Sequence, residues 1–292
     1  MALSLKEIKE WCEQEEKEFW EYMLYDDMRE RGVTKEESFA VMEESWKAMQ
    51  HTIKTYKATR LSASQMVGAE GGRLEDYRKD ASKRPLCGDF TGDAMIIALK
   101  MAESNACMRR IVAAPTAGAC GVIPAVLIPY YERGLADDEK IVQALYVAGG
   151  IGEVIAQRAS ISGAHGGCQA EIGSASAMAA GALTYLQGGS KEQICEAAAL
   201  ALKGLLGLVC DPVAGLVEVP CVKRNVIGTV NAISCTDMAM AGIESKIPPD
   251  EVIDAMEEVG VKMDASLRET ALGGLAATPE GLKIAEEKMG SL

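Results

Sequence analysis

Histidine is almost missing from this sequence: two in 292 residues, His51 and His165. Proton transfer run by an imidazole therefore has only two candidates here. Aromatic side chains are scarce as well, 5% of the chain with three Phe and three Trp. The core must be built from Ala, Val, Ile, Leu and Gly, and such small side chains let helices approach closely. Positive charge is in deficit, 30 Lys and Arg against 43 Asp and Glu, for a formal net charge of −13. Nucleic acids and anionic membranes both need a basic face, so neither is an expected partner. The opening stretch, MALSLKEIKEWCEQEEKEFW, carries charges where a secretory signal would need an apolar run. We therefore expect a cytoplasmic chain whose nine cysteines are reduced, with disulfides unlikely on that ground. One uncharged run, IVAAPTAGACGVIPAVLIPYY at 111–131, is long enough to span a bilayer, but its three prolines and the PTAGACG segment would break a helix in its middle. A buried irregular segment inside a soluble protein is the expectation.

What is present reads as helix. Apolar residues recur at helical spacing over 3–31 (Leu5, Ile8, Trp11, Cys12, Phe19, Tyr22, Met23). Thr34-Lys-Glu-Glu looks like an N-cap and an acidic first turn, opening a helix to about residue 56. Residues 61–91 are rich in Gly and read as a long loop, a kind that tends to be functional. Helices are expected again at 93–107, 123–133, 137–158, 171–187, 191–208 and 226–244. Pro248-Pro249 with its acidic first turn starts another, and TPEGLKIAEEKMG repeats that device. There is no period-2 strand of useful length and no internal repeat. The reading is all-α, one domain over 1–292, with 1–60 able to pack as a separate N-terminal appendage.

Three cysteines stand at segment ends in stretches almost without charge. Cys168, in GGCQAE, lies at or just before a helix start, where free backbone N–H groups and the positive helix end favour a thiolate. Cys210 follows the end of the 191–208 helix, and Asp211-Pro212 forbids that helix from continuing. Cys221 follows Pro220. Three thiolates with one open position would suit a cubane iron–sulfur cluster; a three-cysteine zinc site is the rival. The plain alternative is three buried thiols acting as small hydrophobes.

Longer motifs weigh on that choice. RIVAAPTAGACGVIPAVL (110–127), ASISGAHGGCQAEIGSASAMAAGAL (159–183) and LGLVCDPVAGLVEVPCVKRN (206–225) resemble, in order and spacing, the alpha chain of the iron–sulfur-dependent L-serine dehydratases (L-serine ammonia-lyases). The resemblance covers about residues 60–245. It implies an all-helical fold and a [4Fe–4S] cluster held by Cys168, Cys210 and Cys221, with no pyridoxal phosphate. It also implies a separate beta subunit, and a homo-oligomer of the αβ unit is compatible with it. Fused members carry a C-terminal tail cysteine that enters the site; this sequence ends KMGSL, so that feature is not carried over.

The implied reaction is β-elimination from L-serine, giving aminoacrylate and then pyruvate and ammonia, with an open iron as Lewis acid. The catalytic base is unknown in this chain. The resemblance does not rest on His165, and His51 reads as a surface or packing residue, so the base is expected from the partner, whose family motif includes a Ser-Ser-His-Thr segment. Thr116, Ala117 and Gly118 could offer a hydroxyl and backbone donors to an amino-acid carboxylate, or form a plain turn. Arg224 and Asn225 follow Cys221; the arginine could clamp a carboxylate or pair with an acid of the protein. Glu171, the lone carboxylate of 159–190, could hold the ammonium of serine or cap a helix. Asp211 reads as ordering the turn after Cys210. Lys203 lacks the phosphate-cradling loop that a Schiff-base lysine would have beside it. The remaining cysteines (Cys12, Cys87, Cys107, Cys120, Cys195, Cys235) read as packing residues. Two other readings stay in view: a related iron–sulfur lyase acting on L-threonine or L-cysteine, and a non-catalytic iron–sulfur scaffold.

Overall fold

Local capping sets most of the helix starts. Thr34 accepts from the Glu37 amide at 3.2 Å while Glu37 accepts from the Thr34 amide at 2.8 Å, a reciprocal pair that satisfies two otherwise orphaned donors. Asp137 accepts from the Lys140 amide, and Ser190 and Gln193 form a second reciprocal box. The computed structural model describes residues 4–289, so residue 3 and the last three residues of the KMGSL ending lie outside the described residues. Within them run α1 (Leu5–Gln14), α2 (Phe19–Arg31), α3 (Lys35–Lys54), α4 (Glu70–Lys79), α5 (Asp89–Ala106), α6 (Val122–Glu132) and α7 (Asp138–Arg158). A single turn α8 (Gly163–Gly166) precedes α9 (Ser174–Leu186), α10 (Lys191–Leu205), α11 (Cys221–Met240), α12 (Pro249–Lys262) and α13 (Pro279–Met289). The described residues hold no β-sheet; one isolated parallel bridge joins Cys210 to Arg268. The fold is all-α.

α9 is the axis of the molecule. Every one of its side chains is buried, and α6, α7, α10 and α11 pack around it. Its composition, SASAMAAGALTYL, explains how: Gly181 lets Ile151 of α7 press against the backbone where any Cβ would collide with it. The helices of 5–54 deliver their large side chains to the same core, with Phe19 and Trp46 fully buried. The Trp46 indole donates to Asp138 at 2.7 Å, and Ser38 meets the Tyr146 hydroxyl at 2.6 Å.

Two sequence expectations need correction. The helix read over 3–31 is two helices: Glu16 takes a left-handed conformation (φ +53°), and Glu18 opens α2. The loop read over 61–91 contains α4. Its first turn is capped from afar by Glu103 of α5, which accepts from the amides of Glu70 (2.6 Å) and Gly71 (3.2 Å). No helix among the described residues is long and apolar enough to cross a membrane, and 122–131 of the uncharged run lie in the largely buried α6.

Candidate active site

The three singled-out cysteines come together. Cys168 stands immediately before a short π-helical turn, Gln169–Gly173, that leads into α9. Cys210 lies on an extended segment after α10, and Cys221 is the first residue of α11. All three are buried, at 2%, 3% and 8% exposure, and none is in a disulfide. Their charges act on one another. Cys168 is held below the usual thiol range, first by a hydrogen bond with the Cys210 side chain and then, against the cost of burial, by the Arg224 guanidinium. Cys210, the other half of that pair, goes up. Burial, followed by the Cys168 and Glu171 charges, pushes Cys221 up to about 12.

Stiff side-chain braces hold this arrangement. Arg224 donates to the Val209 carbonyl at 2.7 Å and to Asp211 at 2.8 Å, with both side chains little exposed (13% and 4%). Asp211 in turn accepts from the Leu275 amide at 2.8 Å, so it anchors a C-terminal strap as well as the turn after Cys210. Gly274 of that strap sits at φ +60°, and a Cβ there would collide with the Asp211 carboxylate. Asn225 is fully buried; its amide bonds the Gly121 N–H (2.8 Å), the Gly118 carbonyl (2.8 Å) and the Cys221 carbonyl (3.0 Å). It thereby ties the PTAG bend to the first turn of α11. Thr116 donates its hydroxyl to Glu171 at 2.7 Å, and Gly118 lies against the same carboxylate. Ala117 is exposed beside them. Burial pushes the Glu171 carboxyl up; the Thr116 bond opposes this and the charge of Glu269 adds to it.

Other candidates lie elsewhere or are occupied. His165 is exposed and pairs with Glu257 of α12 at 2.9 Å. His51 is exposed on α3, and Lys203 donates to the Ser245 carbonyl. Of the cysteines read as packing residues, Cys87 is corrected: it is exposed, in the surface loop before α5. Sequence reasoning passed over three features at the site. Glu218 is buried and accepts from the Ser62 and Ser64 hydroxyls, closing the 61–68 loop onto the segment before Cys221. A lone acid in the apolar AGLVEVPC was the available signal. Gly163 and Glu269 border Glu171 and Cys210, and nothing local distinguished them.

The donor set fits an iron–sulfur group. Three buried free thiols share one region, the Arg224 guanidinium favours the ionised form of Cys168, and soft thiolates select such clusters. Among the described residues no three His, Cys, Asp or Glu converge on a single metal ion.

The chain belongs to the serine dehydratase alpha chain family, whose model matches residues 8–276. It is 44% identical over 290 residues to the probable L-serine dehydratase, alpha chain, of Bacillus subtilis (strain 168), covering 99% of this chain and 96% of that protein. To the L-serine dehydratase, alpha chain, of Peptoniphilus asaccharolyticus it is 41% identical over 284 residues, 97% of each. The L-serine dehydratase TdcG of Escherichia coli (strain K12) is 48% identical over 182 residues, 61% of this chain and 40% of that protein.

Proposed function

We propose that this chain is the alpha subunit of an L-serine dehydratase, converting L-serine to pyruvate and ammonia by β-elimination. One observation carries the reading: Cys168, Cys210 and Cys221 share a buried site in a chain of this family. These three thiolates would hold a [4Fe–4S] cluster, and pyridoxal phosphate has no part. Such a cluster, when bound, supplies an iron with a free coordination position, a Lewis acid for the substrate's oxygens.

The chain's own residues shape and orient. Arg224 favours the thiolate form beside it while remaining paired with Asp211. Asn225 fixes the bend that carries Thr116, Ala117 and Gly118, and we assign that bend to the substrate carboxylate, with Ala117 its exposed residue. Thr116 points the Glu171 carboxylate into the site. We thus give Arg224 and Asn225 bracing roles rather than substrate contacts. We assign the Cα proton to a base on a separate beta subunit; His165 is exposed and paired with Glu257 of α12. The electron pair of that C–H bond forms the Cα–Cβ double bond as the C–O bond breaks, and the hydroxyl leaves with the C–O electrons and takes up a proton to depart as water. The resulting aminoacrylate takes up water and releases ammonia.

The test is anaerobic purification with iron and sulfide analysis, followed by pyruvate or 2-ketobutyrate release from L-serine, L-threonine and L-cysteine, with and without a beta subunit. We expect L-serine to be preferred and turnover to need the second chain. Each cysteine-to-serine change at 168, 210 or 221 should remove cluster absorbance and activity together. Retention of both by any one of them would overturn the reading.

A further inference from the structure

Two of the three site cysteines are tied to each other through the short turn between them. The Val213 amide donates to the Val219 carbonyl at 2.8 Å, closing that turn, and Arg224 of α11 reaches back to the Val209 carbonyl and to Asp211. Cys168 arrives separately, after α8, and its neighbour Gln169 joins it to the other two. Gln169 is 1% exposed. Its backbone amide donates to the Leu208 carbonyl at 2.9 Å, and its side-chain oxygen accepts from the Gly207 amide at 2.8 Å. The two bonds grip adjacent residues of the segment that runs into Cys210, which fixes the register of that segment against Cys168. The side-chain nitrogen donates to the Met256 carbonyl of α12 at 2.9 Å. α12 comes this close because residue 260 is glycine: a Cβ there would stand 2.9 Å from Gly166 Cα and 3.3 Å from Gln169 Nε2. Gln169 also opens the π-helical turn that carries Glu171 into α9, and such turns gather at functional sites.

The chemistry of position 169 is narrow. One end of the side chain must accept from an N–H and the other must donate to a carbonyl, which an amide does. Glutamate keeps the Gly207 bond but sets a carboxylate against the Met256 carbonyl. Methionine fills a similar volume and makes neither bond. A buried amide can also brace helices without serving a site, and Asn231 does so. It donates to the Ser176 hydroxyl and to the Ala201 carbonyl, each at 2.9 Å, joining α11 to α9 and α10. Gln169 differs in what it joins: its bonds end on the run into Cys210, and its own backbone continues from Cys168. We infer that Gln169 is a positioning residue for the reaction, setting Cys168 in register with Cys210 and, through the π-helical turn, Glu171 beside both. This rests on the dehydratase reading for the reaction itself.

The experiment compares Gln169→Met, Gln169→Glu and Asn231→Leu with the unaltered holoenzyme, cluster-loaded and with its partner, purified without oxygen. Release of cluster iron to a chelator, kcat and KM for L-serine, and melting temperature are measured together. Hydrogen exchange over residues 205–210 of the full chain reads the anchor and needs neither cluster nor turnover. Gln169→Met should speed that exchange and release iron about 10-fold faster. It should lower kcat about 10-fold or more with KM within about 3-fold, because misplaced groups act on the chemical step. Gln169→Glu keeps one of the two side-chain bonds and should fall between; it decides the matter if Gln169→Met does not fold. Asn231→Leu strands its partners and should lower the melting temperature, yet leave iron release and kcat within about 2-fold. The positioning role is overturned if exchange over 205–210 is unchanged, or if iron release and kcat at position 169 follow melting temperature alone, as at Asn231. A cluster-loaded wild type that forms no pyruvate removes the dehydratase reading, while iron release and exchange still judge Gln169. A wild type that assembles no cluster removes the role together with the site.

Discussion

Replacing Arg224 separates a brace from a substrate clamp. Its guanidinium lies 2.8 Å from Asp211 and 2.7 Å from the Val209 carbonyl, and the two side chains are 13% and 4% exposed. Arg224→Met keeps much of the aliphatic stem but leaves Asp211 as a buried carboxylate bonded only to the Leu275 amide. Breaking a buried pair from one side costs about 3–5 kcal/mol. In a chain this long a kcal/mol is worth about 2–3 °C, so the melting temperature should fall by roughly 6–15 °C. Arg224→Lys retains the charge but not the fork, and should lose less than half as much. The assay is thermal unfolding of the anaerobic protein beside KM for L-serine, with a double-mutant cycle through Asp211→Asn to isolate the pair. A coupling of at least about 1.5 kcal/mol is expected. If Arg224→Lys leaves the melting temperature untouched and raises KM by two orders of magnitude, the guanidinium clamps substrate and the bracing argument fails.

Two further outcomes follow from the same geometry. Asn225→Ala strands the buried Gly121 N–H and frees two carbonyls, which should cost about 2–4 kcal/mol in urea unfolding; a loss below about 0.5 kcal/mol would mean that the PTAG bend does not depend on it. Native protein treated with a chromogenic disulfide should show one fast thiol, Cys87, since it alone of the nine cysteines is exposed and burial pushes the Cys120 thiol up to about 12. The fast phase should vanish in Cys87→Ser, and a fast phase that persists there would contradict the burial of the rest.

Helix starts were readable where the cap is local. Thr34 and Glu37, Asp137 and Lys140, and Ser190 and Gln193 are three residues apart and carry their own signal. The start of α4 was not, because its cap is Glu103, 33 residues away. The break after α1 was missed for a related reason: Glu15, Glu16 and Lys17 are good helix formers, and the turn there depends on α1 and α2 packing against each other. At the site, the three cysteines stood out through the prolines and glycines around them, and Glu171 through its isolation in an apolar run. Glu269 had no such mark. It lies among ordinary surface residues and matters only because its backbone pairs with Cys210.

Composition and short-range pattern were enough for the helical class, a core of small side chains, and thiols placed at segment ends. Those properties depend on neighbours within a turn or two of chain. Folding alone decided that Arg224 faces Asp211 and not open solvent, that Asn225 spends its amide on three backbone groups, and that a glutamate from the strap before α13 overlooks Cys210. Each is a contact between segments whose approach depends on how α9 and its surrounding helices pack, and packing leaves no trace in the order of residues on either side of one cysteine.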